Sequence, residues 1–232
     1  YTKEAGIREL NRCIINIYRK HITYSYEGNE IEDIKKYLGN YKYKYLYNNK
    51  CAKPGIVNTL AYTPYGGLVL KTTSVYYKGN GNIEITGQIG NVMKESTTIA
   101  LSYIKENSEI FNIDYSLFTN DFHIHFEEGS IPKDGPSAGV SIVTSLISTL
   151  KKMTIPNTIS MTGEITLRGK ILPVGGLKEK LITATISNIK TVYVPLDNKE
   201  EVMEIDKSIT SKLKIKYVDD YIEIYNDLFQ EK

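Results

Sequence analysis

The sequence predicts an α/β or α+β domain preceded by a short helical segment, and three observations carry that reading. From residue 56 onward, alternating or apolar runs of strand length take turns with runs of helical period. The strand-like runs are short and bounded by Gly, Pro, Asn and Asp. The first forty residues show only helical patterning and are too few to bury a core alone.

The elements follow in order. Residues 2–20 read as a helix: Thr2 is placed to cap it, and Ile7, Leu10, Ile14 and Ile17 recur at helical spacing. A second short helix runs from Ile31 to Leu38 and closes at Gly39. Residues 40–55, rich in Tyr, Lys and Asn and ending in Pro54-Gly55, read as a linker, with an edge strand through Tyr41, Tyr43 and Tyr45 as the alternative. Strands are predicted at Ile56–Tyr62, Leu68–Tyr77 and Ile83–Thr86, the last two joined by Gly79-Asn80-Gly81. A helix follows through Val92, Ser96, Ile99, Ala100 and Tyr103, then a strand at Phe122–Phe126 and a helix from Ser137 to Leu150. Ile159–Met161 is a short strand, Arg168-Gly169-Lys170 a hairpin turn, Leu177–Ile186 a helix and Thr191–Val194 a buried strand. A helix near Glu200, a strand at Leu213–Val218 and a helix from Tyr221 complete the pattern.

Composition narrows the function classes. The 232 residues are 41% hydrophobic and 24% charged, as in soluble globular proteins, and the net charge of +2 gives no pull toward nucleic acid or anionic membrane. No apolar run reaches membrane-spanning length, and no signal-peptide pattern opens the chain. Cys13 and Cys51 are the only cysteines, without CxxC or Cys/His zinc spacing, so no structural metal is expected. A reducing compartment fits them, a single disulfide being the alternative.

The chemistry concentrates in two segments. In Pro132-Lys-Asp134-Gly135-Pro136-Ser137-Ala138-Gly139, a serine follows a Gly-Pro turn at the mouth of an apolar helix. Pro136 suits a first helical turn, where unpartnered N–H groups and the helix dipole favour an oxyanion. Gly135 and Gly139 leave room for a substrate to approach the backbone. A plain N-cap serine accounts for the same residues. A serine nucleophile needs a base, and a lysine serves when burial lowers its pKa. Lys180, beside Leu177, Leu181 and Ala184 on a helix opened by Gly175-Gly176, meets that condition; Lys178 competes, and solvated lysines are the ordinary case. His123 and His125 share one strand face, fit for a metal or for assisting a serine, but nothing nearby completes a metal set. Asp134, three residues before Ser137, is placed to cap the Ser137 helix or to pair with a lysine, and Glu127 and Glu128 read as a solvated acidic loop.

These segments carry a family resemblance. PKDGPSAG at 132–139 and MTGEITLRGKILPVGGLKEK at 161–180 resemble the proteolytic domain of Lon, the ATP-dependent AAA+ protease. Tyr62-Thr-Pro-Tyr-Gly-Gly67, Gly87-Gln-Ile-Gly-Asn-Val-Met-Lys-Glu-Ser96, His123-Ile-His125 with Glu128-Gly129, and Lys190-Thr-Val-Tyr-Val-Pro195 follow its motifs in order. Tyr1-Thr-Lys-Glu-Ala-Gly-Ile-Arg8 resembles the end of the ATPase module's helical lid. The resemblance implies an α/β fold of mixed sheets with flanking helices, over residues 56–232. It implies a lid fragment at 1–39 and a linker at 40–55.

It further implies Ser137 as nucleophile and Lys180 as base, with Thr162 orienting the lysine and Asp134 approaching it in inactive states. Gly135, Ser137 and Ala138 form the oxyanion region, and Arg8 senses nucleotide. Unfolded or damaged proteins are the implied substrates and a homohexamer the implied assembly, with no membrane or nucleic-acid partner. ATP and magnesium belong to an ATPase module, since this sequence has no G-x-x-x-x-G-K-[ST] loop and no metal site of its own. The implied compartment is the mitochondrial matrix or bacterial cytoplasm, with the mitochondrion favoured. Tyr62 where relatives have tryptophan, Thr73 where many have glutamate, and the Tyr-rich linker depart from the pattern. Two rival readings remain: a non-catalytic ring-forming or binding module, and a Ser-His hydrolase using His123 or His125.

Overall fold

The computed structural model describes residues 1, 2, 4, 6–23, 33–41, 52–64, 66–128 and 132–230. Contacts divide the chain into two units, Tyr1–Tyr47 with Pro64–Gly66, and Asn48–Thr63 with Gly67–Lys232.

In the first unit, α1 (Arg8–Thr23) starts later than the pattern predicts. Gly6 costs helix stability, and the cap comes from Glu4 rather than Thr2: its carboxylate accepts the Glu9 and Leu10 N–H groups, both at 2.9 Å. No residue of α1 is buried. Helix α2 (Ile34–Leu38) is capped by Asp33 and ends at Gly39, whose φ of +77° suits glycine. Lys20 Nζ donates to the Tyr37 carbonyl at 2.6 Å and ties the two helices. The predicted beginning of that helix at Ile31, the strand alternative through Tyr43 and Tyr45, and Cys51 lie outside the described residues. Cys13 is a free thiol.

The second unit is built on a seven-stranded sheet. Its strands are β1 (Ile56–Thr63), β2 (Gly66–Tyr77), β3 (Ile83–Thr86), β4 (Asp121–Phe126), β5 (Ile159–Met161), β8 (Thr191–Pro195) and β9 (Lys214–Val218), in the order β3-β4-β2-β1-β5-β8-β9. β1, β5, β8 and β9 run parallel; β4 is antiparallel to β2 and parallel to β3. The strands joined by Gly79-Asn80-Gly81 are therefore not neighbours, because β4 lies between them. Local pattern marks a turn there but not its pairing partner. The turn is held by the Asp121 carboxylate, which accepts from Asn80 and Asn82 N–H at 2.8 Å. A short hairpin of β6 (Glu164–Ile165) and β7 (Ile171–Leu172) stands apart, turning at Arg168-Gly169-Lys170 as predicted.

Helices cover both faces. They are α3 (Asn91–Glu106), α4 (Gly139–Lys151), α5 (Leu177–Ile186), α6 (Lys199–Met203), α7 (Lys207–Thr210) and α8 (Tyr221–Phe229). Val57 and Tyr193 enter one apolar cluster with α3, α4 and α8, whereas Leu60, Val192 and Val194 enter another with α5 and α6. Alternation along the strands thus puts the sheet between two cores. α7 and the 3-10 turn at Tyr115–Thr119 have no counterpart in the sequence reading; both are too short to show a period.

Candidate active site

The nucleophile candidate sits on a stapled turn. Pro136–Ala138 form a 3-10 turn that runs directly into α4, entered through Gly135 at φ +157°. The Ser137 carbonyl accepts the Gly163 N–H at 2.9 Å and the Thr162 hydroxyl at 3.4 Å, and Val140 N–H donates back to Gly163 O at 3.1 Å. The turn is thereby fixed to the chain leaving β5, at the carboxyl end of a parallel strand. Among the described residues, nothing lies within 4 Å of where a Cβ on Gly135 would be. Gly139 corrects the sequence expectation of room for a substrate: a Cβ there would lie 2.9 Å from Ile165 N, so its close approach is to the β6 backbone.

The base candidate comes from the other face. Lys180 is 2% exposed, on the side of α5 that also buries Leu177, Leu181 and Ala184. Its Nζ donates to Thr162 Oγ1 at 3.1 Å. Burial lowers the amine from 10.5 to about 8, while the Glu201 carboxylate acts in the opposite direction. Lys178 is exposed on the outer face of the same helix. Thr162 is 1% exposed and joins the two halves: it receives the lysine and donates to the backbone of Ser137. Among the described residues no direct hydrogen bond links Ser137 Oγ to Lys180 Nζ.

Asp134 lies elsewhere. Its Oδ1 accepts the Met93 N–H at 3.1 Å, and its carboxylate fills the space that a side chain on Gly90 would occupy. α3 has no cap from its own N-cap residue Gly90, and Asp134 supplies one. Beside it, Lys133 is buried and donates from Nζ to Gly87 O at 3.1 Å and Glu128 O at 2.6 Å. Backbone bonds Lys133 N to Gln88 O and Gly90 N to Lys133 O complete the attachment.

The histidines are engaged by a threonine. His123 Nε2 and His125 Nδ1 both bond the Thr86 hydroxyl, at 2.9 and 2.8 Å, and His123 faces Glu84 at 3.9 Å. Glu127 and Glu128 are exposed. Arg8 is exposed at the start of α1. No cluster of metal ligands and no helix long and apolar enough to cross a membrane occurs among the described residues.

Sequence reasoning passed over Asn198 and Glu201. Asn198 is buried, accepts Val174 N–H at 2.9 Å and donates to Val174 O at 3.0 Å and Glu201 Oε2 at 2.9 Å. The run Asp197-Asn-Lys-Glu-Glu201 looks like a solvated charged turn, and only the tertiary structure shows its inner side.

Comparison with known proteins identifies the family. Residues 30–231 match the family described as Lon protease (S16) C-terminal proteolytic domain. The Lon proteases of Aster yellows witches'-broom phytoplasma and Mycoplasma genitalium are each 43% identical over 99% of this chain and 30% of their own length. Lon protease 1 of Myxococcus xanthus is 43% identical over 96% of this chain and 28% of its length. The chain spans less than a third of the curated relatives it matches, and the relatives named are bacterial, which does not support the mitochondrial reading. A turn presenting Ser137, a buried Lys180 at Thr162, and similarity along nearly its full length together show that the chain belongs to the Lon protease C-terminal proteolytic domain family.

Proposed function

We propose that the chain hydrolyses peptide bonds by acyl transfer, with Ser137 as nucleophile and Lys180 as general base. The observation that carries this is the burial of Lys180 against Thr162, which holds an amine of depressed pKa beside the serine turn. Ser137 Oγ attacks the carbonyl carbon while Lys180 Nζ takes its proton. N–H groups of the Gly135–Ala138 turn receive the oxyanion. The lysine returns the proton to the leaving amine, and water attacks the acyl-enzyme through the same base. Thr162 holds the amine in line. Ser-His catalysis is disfavoured by the histidines' engagement with Thr86.

In the wider reading, the whole protein is an ATP-dependent serine endopeptidase. Its subunits form a homohexamer that degrades unfolded or damaged proteins, in a bacterial cytoplasm. Residues 1–39 are the end of a helical lid and Arg8 its nucleotide-sensing arginine. ATP and magnesium are held outside these 232 residues, and no step of the hydrolysis runs through them.

The test is cleavage of a fluorogenic peptide by the purified chain, with labelling of the serine by a fluorophosphonate. Ser137→Ala and Lys180→Ala are each expected to lower turnover at least ~10³-fold with the fold retained. Retained turnover in either variant, or cleavage lost in a His123→Gln/His125→Gln double variant, contradicts the dyad. An unlabelled, inactive wild type favours the non-catalytic binding module.

A further inference from the structure

The helix that carries Lys180 begins on weak footing. Gly175 and Gly176 precede it, Gly176 at φ +71° in the region glycine favours, and its N-cap residue, a glycine, offers no side-chain cap. Lys180 N–H closes that turn on Gly176 O at 3.1 Å. Two glycines in succession do not by themselves hold a helix to a fraction of an ångström, yet a base must be held that closely. The restraint lies one residue upstream. Val174 is buried, and both of its backbone hydrogen-bonding groups are taken by one side chain, the Asn198 amide: Oδ1 receives the N–H at 2.9 Å and Nδ2 donates to the carbonyl at 3.0 Å. The arrangement imitates a strand neighbour where β7 has ended. The same Nδ2 donates to Glu201 Oε2 at 2.9 Å. Asn198 therefore connects the entry to the lysine helix with the carboxylate whose charge acts on the lysine.

Other ionisable groups stand near α5. β1 offers Tyr62, packed over Gly176. α6 carries Lys199, Glu200 and Glu201, and Asp206 and Lys207 open α7. Lys178 and Glu179 lie on α5 itself. Of these, Glu201 is the group whose charge acts on Lys180.

We propose that Asn198 is a positioning residue for hydrolysis: its amide clamps Val174 and Glu201 together, and so sets both where α5 holds the Lys180 amine and how a carboxylate faces it. This rests on Lys180 being the base. The amide chemistry is specific to the task. An aspartate at 198 could accept from Val174 N–H but could donate neither to Val174 O nor to Glu201, and two carboxylates would repel.

The experiment is the pH dependence of kcat and KM for fluorogenic peptide cleavage by the whole chain. It compares wild type, Lys180→Met, Asn198→Asp and Glu201→Gln. Asn198→Asp is expected to lower kcat about tenfold or more with KM within about twofold, and to move the rising limb to higher pH. Glu201→Gln is expected to move that limb to lower pH, because the charge favouring the ammonium is gone. A purely structural role for Asn198 would scale activity equally at every pH, and that result, or an unmoved limb in Glu201→Gln, overturns the inference. Should Asn198→Asp fail to fold, the Glu201→Gln limb decides alone. An inactive wild type or an active Lys180→Met overturns the dyad and the inference together; an active wild type, an inactive Lys180→Met and unmoved limbs overturn the inference alone.

Discussion

The two helices that meet at the site are held in opposite ways. α4, which follows the serine, is buried at every residue from Gly139 to Leu150 and is fastened by hydroxyls. Ser141 Oγ donates to Ala138 O at 2.8 Å and receives Thr59 Oγ1, which in turn meets Thr72. Ser145 Oγ lies 2.6 Å from Gly55 O and 2.9 Å from Ser74 Oγ, and Thr149 bonds Ser74 O. α5, which carries the lysine, buries one face only and starts from two glycines. The turn of the proposed nucleophile is thus anchored by a scaffold of many small bonds, the proposed base by one clamp and one threonine. The contrast fits the proposed tasks, in which the serine backbone also presents an oxyanion site and the lysine exchanges a proton from a dry pocket.

Burying that amine costs stability, and this gives the largest effect on the α5 side. Lys180 falls from 10.5 to about 8 in the fold, so the unfolded chain binds more protons between those values. The sign follows. The contribution of Lys180 to stability is least below pH 8 and recovers as pH rises toward 10.5. Lys180→Met, which keeps the apolar stem, is expected to raise unfolding free energy at pH 7 by up to about 3 kcal/mol, with the gain vanishing near pH 10.5. Urea unfolding at both pH values checks this, and an unchanged or lower stability at pH 7 would break the contrast.

On the α4 side the sign reverses. Ser145→Ala leaves Gly55 O and Ser74 Oγ short of a buried partner and is expected to destabilise by about 1–3 kcal/mol, with much of the peptide turnover retained per folded molecule. Equal loss of stability and of specific activity would mean that the α4 hydroxyls set the chemistry and not merely the scaffold.

Much of this was legible in the chain. β5 and α5 have the bounds predicted from their apolar spacing, Ile159–Met161 and Leu177–Ile186. Lys180 is buried, as its apolar neighbours suggest, and Lys178 two residues away is not. What escaped was non-local. The insertion of β4 between β2 and β3, the cap that Asp134 gives α3, and the Asn198 clamp each join residues more than twenty positions apart. Period and propensity describe which face is apolar, not what meets it. Gly139 shows the same limit, since a need for small size was visible but the neighbour requiring it, Ile165, was not.

General-base catalysis by Lys180 requires a buried amine able to be neutral near physiological pH. A titration followed by NMR of lysine side chains labelled at Cε, with the Lys180 signal assigned by its absence in Lys180→Met, measures that directly. A midpoint near 8 is expected for this one lysine. A midpoint at the ordinary value of 10.5 would contradict it.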